Sequence, residues 1–371
     1  MRLTADAVLS AITHSEPAVR ELAVSYFTSA FSVDPRVMPA FIKSIELYGW
    51  EYHEDQLRLL SNVTQTEATV RWLLEQFALS DGDDARQDDI ACVLVHSPAA
   101  VLKKFEAEIA ASSVLPDDLK AALQDSIALV ALPPEELWQR LEDECGPVEL
   151  GEATRPEDGP EVDEDEPDDE DFDDEDFDDL DEIERSVLGS GHDHLKGLSA
   201  ALGAYPEFVA ERVRTVLRNA NNPVSQSWRL PEYAARIARH ARLTTMVPEL
   251  VEALSCDKDF LSEEAQDTLA ALGSDSAIEL IQAKWAASKI DFHLATVGIF
   301  EATHTDKSVE VALALAASED DEFTRNCLLD AALRNFDPRA LEVARQLPNH
   351  HSEQSQQLIT VMAAVEGLLG G

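Results

Sequence analysis

Apolar residues recur at helical spacing behind Ser, Thr and Asp residues of the helix-capping type, and these caps return about every 31 residues. In the C-terminal half Thr244, Asp275, Asp306 and Asp337 are separated by 31, 31 and 31 residues, and Pro338 follows the last. In the N-terminal half Thr4, Asp34, Thr66 and Ser97 are separated by 30, 32 and 31, with Pro35 and Pro98 at the first helical position. Behind the C-terminal caps, Val247, Ile278, Val309 and Ala340 stand at offset three. Leu250, Ile281, Ala312 and Val343 stand at offset six, and Leu254, Trp285, Ala316 and Leu347 at offset ten. Those offsets track one helical face. Behind the N-terminal caps the stripe sits at offsets four and eight: Val8, Met38, Val70 and Val101, then Ile12, Ile42, Leu74 and Phe105.

Further helices are predicted between these, over Pro17 to Phe31, Ala85 to Val95, Glu263 to Leu272 and Phe323 to Arg334. Less regular pairs are predicted at Pro116 to Ala131 with Pro134 to Glu144, and at His194 to Ala204 with Glu207 to Asn219. Ser352 to Leu369 is predicted as a capping helix. The unit is a helix pair, which cannot bury its apolar faces alone, so neighbouring pairs must stack on one another. The expected fold is all-α, an α-solenoid of about ten helical hairpins.

Composition agrees with a helical core, at 45% hydrophobic residues with only 14 Gly and 6% aromatics in 371 residues. Cys92, Cys145, Cys256 and Cys327 are widely separated and make no C-x-x-C pair, which points to a reducing, cytoplasmic setting. The stretch after Arg2 is interrupted by Asp6 and reads as an amphipathic helix, not a secretory segment. No window has the roughly 18 uninterrupted apolar residues of a membrane-spanning helix.

Charge divides the chain. The net charge is −44, yet Glu152 to Glu184 alone carries 21 acidic residues and one basic, a net of −20. Direct binding to nucleic acid or to an anionic membrane is not expected, because such partners are held by Lys and Arg on phosphates. Basic proteins are the natural counterparts. Like charges at that density, with few apolar residues, cannot offset an ordering cost of about 1–2 kcal/mol per residue, so the segment is expected to be disordered. The expected division is therefore residues 1–145 as helical repeats, 146–190 as the acidic insertion, and 191–371 as further repeats with a capping helix. Within the acid stand Phe172, Phe177, Leu180 and Ile183, which could anchor a short motif on a basic partner, folding near Leu180 to Leu188. The plainer alternative is a solubilising spacer.

Several stretches resemble HEAT repeats, in particular the short variety of phycobilisome-lyase-type proteins. Ser15-Glu16-Pro17-Ala18-Val19-Arg20-Glu21-Leu22-Ala23 is similar to the acidic turn and Val-Arg of the first helix. Ala271-Leu272-Gly273-Ser274-Asp275 is similar to the Ala-Leu-Gly and Asp cap of the second. Glu319 to Val343 follows both loosely, with Thr324-Arg325 in place of Val-Arg. The resemblance implies the fold over most of the chain outside the acidic segment. It says little of function, since scaffolds, chromophore lyases and a metal-dependent hydroxylase share that architecture.

The hydroxylase branch holds two irons with recurring His-Glu pairs, and this chain has one, His53-Glu54, which reads as a solvated helix start. His192, Asp193 and His194, and more weakly His350-His351, could bind a transition metal but read as polar linker residues. His14, His96, His240, His293 and His304 are scattered without ligand spacing. No nucleophile motif or phosphate-cradling glycine loop occurs. Cys92 and Cys327 lie in apolar helix patterns and read as core. Accordingly no catalytic, cofactor-binding or metal-binding residue is assigned. The expected role is a non-enzymatic protein-binding scaffold or adaptor whose acidic segment steers basic partners. The alternatives are a repeat-family enzyme of the lyase or hydroxylase kind, and an acidic chaperone or nucleic-acid mimic.

Overall fold

The computed structural model describes residues 2–80, 82–146, 194–220, 229–256, 258–346, 360 and 362, and among these every regular element is helical. In the first part the α-helices are α1 (Ala5–Ala11), α2 (Pro17–Thr28), α3 (Val37–Tyr48), α4 (Glu54–Leu57), α5 (Glu67–Leu79), α6 (Asp84–Val95), α7 (Ala99–Leu102), α8 (Glu106–Ala111), α9 (Asp117–Leu129) and α10 (Pro134–Glu144). After the acidic stretch come α11 (194–202), α12 (Pro206–Arg218), α13 (Leu230–His240), α14 (Val247–Ala253), α15 (Asp259–Leu272), α16 (Asp275–Lys284), α17 (Ile290–Ala302), α18 (Asp306–Ser318), α19 (Glu322–Arg334) and α20 (Pro338–Gln346).

From α12 onward the helices form two rows. In one, α13 packs on α15, α15 on α17 and α17 on α19; in the other, α12 packs on α14, α14 on α16 and α16 on α18. Sequence neighbours such as α12/α13, α14/α15 and α18/α19 tie the rows together. The first part is less even. There α2 meets the 3-10 turn Arg58–Asn62, that turn meets α6, and α6 meets α9. A single apolar core runs from Leu3 to Met362.

Most of the predicted stripe positions lie in that core. Val247, Ile278, Val309 and Ala340 are buried, as are Leu250, Ile281 and Ala312, and Leu254, Trp285 and Ala316. Val343 is exposed instead, and Leu347 lies outside the described residues, as does the proposed closing helix apart from Thr360 and the buried Met362. Several caps act one residue away from their predicted place. Ser274 and Thr305 cap α16 and α18, and Asp275 and Asp306 occupy the first turn, where carboxylates favour the helix dipole. Thr4 and Thr66 do cap α1 and α5. Ser97 does not open α7; its hydroxyl donates to the Val93 carbonyl, closing the helix before it.

The helices on the two sides of the acidic stretch meet. His194 Nε2 stands 3.2 Å from Glu144 Oε1, so the chain departs after α10 and returns beside the same residue. Gly197 lies so near α9 that a Cβ would stand 3.2 Å from Leu129 Cδ1. The first helix pair also meets later turns: the Leu3 amide donates to the Phe336 carbonyl at 3.1 Å. Arg334 Nη1 donates to Ser25 Oγ at 3.4 Å. Phe31, just past α2, packs under the Arg239 guanidinium at 4.4 Å, and its carbonyl accepts from Arg242 at 2.9 Å. Helices α2, α13 and α19 end near left-handed residues without glycine, Phe31 (φ 47°), Arg242 (φ 52°) and Phe336 (φ 51°). All three lie at this junction of the first helix pair with the later turns.

Candidate functional site

Titratable side chains that cluster inside the fold are engaged with one another. Glu264 of α15 is 3% exposed; it pairs with Arg236 and, at 3.0 Å, with Arg239 of α13, and Arg239 also reaches Asp267 at 3.1 Å. Burial pushes the Glu264 carboxyl up, and the two guanidiniums oppose that rise. The same arginines act on His240, an exposed residue at the end of α13 whose Cβ lies against Gly203. Desolvation first, then Arg239, Arg236 and Arg242, push it down to about 3.

His53, expected to be solvated, is buried. Its Nδ1 meets the Gly49 carbonyl at 2.7 Å and its Nε2 the Ser44 hydroxyl at 2.9 Å, while Phe41 stands edge-on at 5.2 Å. The mildly polar run Trp50–Tyr52 gave no sign of this, because the 3-10 turn there folds the imidazole back onto α3. His293 lies flat on Trp285 at 3.9 Å. Among the described residues no three His, Cys, Asp or Glu side chains gather to hold a metal ion. Cys92 and Cys327 are only partly buried, because their helices turn them toward the edge of the core. Cys145 is the buried thiol, and desolvation pushes it up to about 12, far from the range of a nucleophilic thiolate.

One surface feature is open and chemically mixed. Between α10 and α12 lies a groove of about 560 Å³. From α10 come Glu135, Trp138, Gln139 and Glu142, spaced three, four and seven residues apart on one face. From α12 come Phe208, Glu211, Arg212, Thr215 and Val216, likewise one face. Trp138 is buried as part of the floor, and Phe208 and Val216 are half-buried. Glu135, Glu142 and Glu211 are exposed along it. Arg212 is the one cation among the lining residues; its guanidinium sits 3.8 Å over the Phe208 ring and donates to the Phe208 carbonyl at 2.9 Å. Of the other arginines of α12, Arg214 pairs with Glu211 on its own helix, and Arg214 and Arg218 both reach Glu249 of α14.

Phe172, Phe177, Leu180 and Ile183, the residues singled out from sequence, lie outside the described residues, as do His192, Asp193, His350 and His351. The groove residues were not singled out. Their signal was present in two amphipathic helices, each with an aromatic on its apolar edge, flanking the acidic run.

Comparison with known proteins adds no family. No protein-family profile matches the chain, and no curated protein matches it. Among solved structures it is similar to the crystal structure of an engineered protein from a structural genomics consortium. That likeness is at 12% identity and a TM-score of 0.29, over 98% of this chain and 99% of that one. A score that low carries no argument about fold or function. No described helix is long and apolar enough to cross a membrane.

Proposed function

We propose that this chain is a non-enzymatic scaffold that binds basic protein partners. Its helix pairs form an α-solenoid of the HEAT-like kind, in repeats over 1–145 and 191–371 that the acidic insertion punctuates, and it works in the cytoplasm. The observation that carries the reading is the groove between α10 and α12, an open, acid-rimmed surface with an apolar floor. Its Glu142 lies two residues before Glu144, which meets His194, and the sequence between those two residues contains a stretch of net charge −20. Acid in that amount raises the local concentration of basic partners and speeds their encounter, an effect that salt weakens. The buried ionisable groups, by contrast, are used up in pairing within the fold.

Affinity capture with mass spectrometry tests this, run on the full chain and on a Glu152 to Glu184 deletion at two salt concentrations. Basic partners should be retained by the full chain at low salt and reduced by the deletion. Capture indifferent to both salt and deletion would remove the steering role. A bound iron pair or a covalently held chromophore in the purified protein would replace the scaffold reading with an enzymatic one.

A further inference from the structure

We infer that the α10/α12 groove is a docking site for one basic, amphipathic helical segment of a partner protein; this deepens, and rests on, the scaffold reading. Two parallel or antiparallel helix faces separated by an open trough are the geometry into which a third helix lays its apolar side. Helices α12, α14, α16 and α18 pack directly on one another, whereas α10 and α12 line the two sides of an open groove. Phe208, half-buried above the buried Trp138, offers aromatic area at the floor, the residue type that most often anchors such contacts. At about 1.5 Å per residue, the 11 residues of α10 and 13 of α12 match a partner helix of roughly 11–13 residues.

Charge selects the occupant. Three carboxylates, Glu135, Glu142 and Glu211, line the trough; Glu211 is paired with Arg214 of its own helix, and the guanidinium of Arg212 is stacked on Phe208, so Glu135 and Glu142 on α10 carry the acid that an incoming helix meets. Placing lysines or arginines along the rim of the incoming helix complements them, whereas an acidic helix would face like charge from the groove and from the neighbouring insertion. The insertion's own Phe172 to Ile183 stretch, set among Asp and Glu, is for this reason the wrong occupant. A second copy of this chain, at −44, is equally disfavoured.

The test uses the full chain and a synthetic 14-residue Leu/Lys helix carrying a fluorophore and a photo-cross-linker, followed by anisotropy. Glu135→Lys, Glu142→Lys and Glu211→Lys together should weaken binding about tenfold or more. The same reversal at the exposed Glu46, Glu75 and Glu342 should change it less than about twofold, as only long-range charge is altered. Arg212→Gln should tighten binding, an outcome that loss of folding could not mimic. Cross-links should map to 135–142 and 208–216.

Equal effects of the two triple reversals, or cross-links elsewhere, would overturn the groove. If deletion of 147–193 then still abolished binding, the basic-partner reading would survive without it. A wild-type chain that ignores the Leu/Lys helix, or that binds its Leu/Gln or Leu/Glu counterpart equally, would overturn both the site and the charge preference. Concentration-dependent dimerisation abolished by the groove reversal would assign the groove to a second copy instead.

Discussion

The imidazole of His304 lies flat on the ring of Tyr26, centroids 3.5 Å apart and planes within 7°, although 278 residues separate them. Its Nε2 donates to the Tyr26 carbonyl at 2.7 Å, and its Nδ1 stands 3.2 Å from Asn335 Oδ1. This stack joins the first helix pair to the turns after α17 and α19. Desolvation pushes His304 down to about 4 against the two oxygens that would favour its proton.

Stability should therefore fall as the medium is acidified. The unfolded chain takes up the His304 proton near 6.5, the folded one only near 4, so between these values the unfolded state binds more protons. The stabilising contribution is complete above about pH 6.5 and is lost as pH falls toward 4, a change on the order of 2–3 kcal/mol. Denaturant midpoints measured at pH 7 and pH 4.5 should differ more for the wild type than for His304→Gln. An equal difference would show that other groups govern the acid response.

Gly203 separates α11 from the turn to α12, and a Cβ there would collide with the Cβ of His240 at the end of α13. Gly203→Ala should destabilise the fold by about 1–3 kcal/mol, the usual cost of overpacking. Gly82, where a Cβ meets nothing, serves as the spatial comparison, although its φ of 83° adds strain of its own. Thermal melts would show the Gly203 effect directly, and a melting temperature unmoved by the alanine would mean that α13 gives way easily.

Removing Glu264 leaves Arg236 and Arg239 partly buried and short of their main partner. Glu264→Ala should cost about 3–5 kcal/mol, as breaking buried pairs does. A Glu264→Met, Arg236→Met double variant should recover much of that loss, since apolar replacement of a whole buried pair is often neutral. Urea unfolding of the three proteins measures both steps.

Arg242 holds φ at 52° while donating to the carbonyls of Ala271 and Phe31. Both Arg242→Ala and Arg242→Gly should be less stable than wild type, because charge-assisted bonds are lost. The glycine variant should exceed the alanine variant by about 1 kcal/mol, the cost of the left-handed conformation for a residue with Cβ. The reverse order would place Arg242 outside the left-handed region in solution.

Much of the helical layout is legible in the chain because local signals decide it. Apolar spacing placed Val247, Ile278 and Val309 in the core, and the helices predicted over Pro134 to Glu144 and Glu207 to Asn219 start within a residue of α10 and α12. Cap assignment slipped by one where two capping residues are adjacent, as at Ser274-Asp275 and Thr305-Asp306, since either can accept from the first turn. His53 was misread for a different reason. Its burial depends on Phe41 and Ser44 of another helix, and no local pattern carries that.

By itself, then, the sequence determined the helices, their apolar faces and the concentration of charge between α10 and α11. Only the tertiary structure decided that the helices flanking the acid meet at Glu144 and His194, that the first pair meets the turn after α17 through Tyr26 and His304, and that α10 and α12 part around Trp138 and Phe208. Helix formation and amphipathicity are set by residues three and four apart. Which faces find each other, and which stay open, depends on shape and charge brought together from distant parts of the chain.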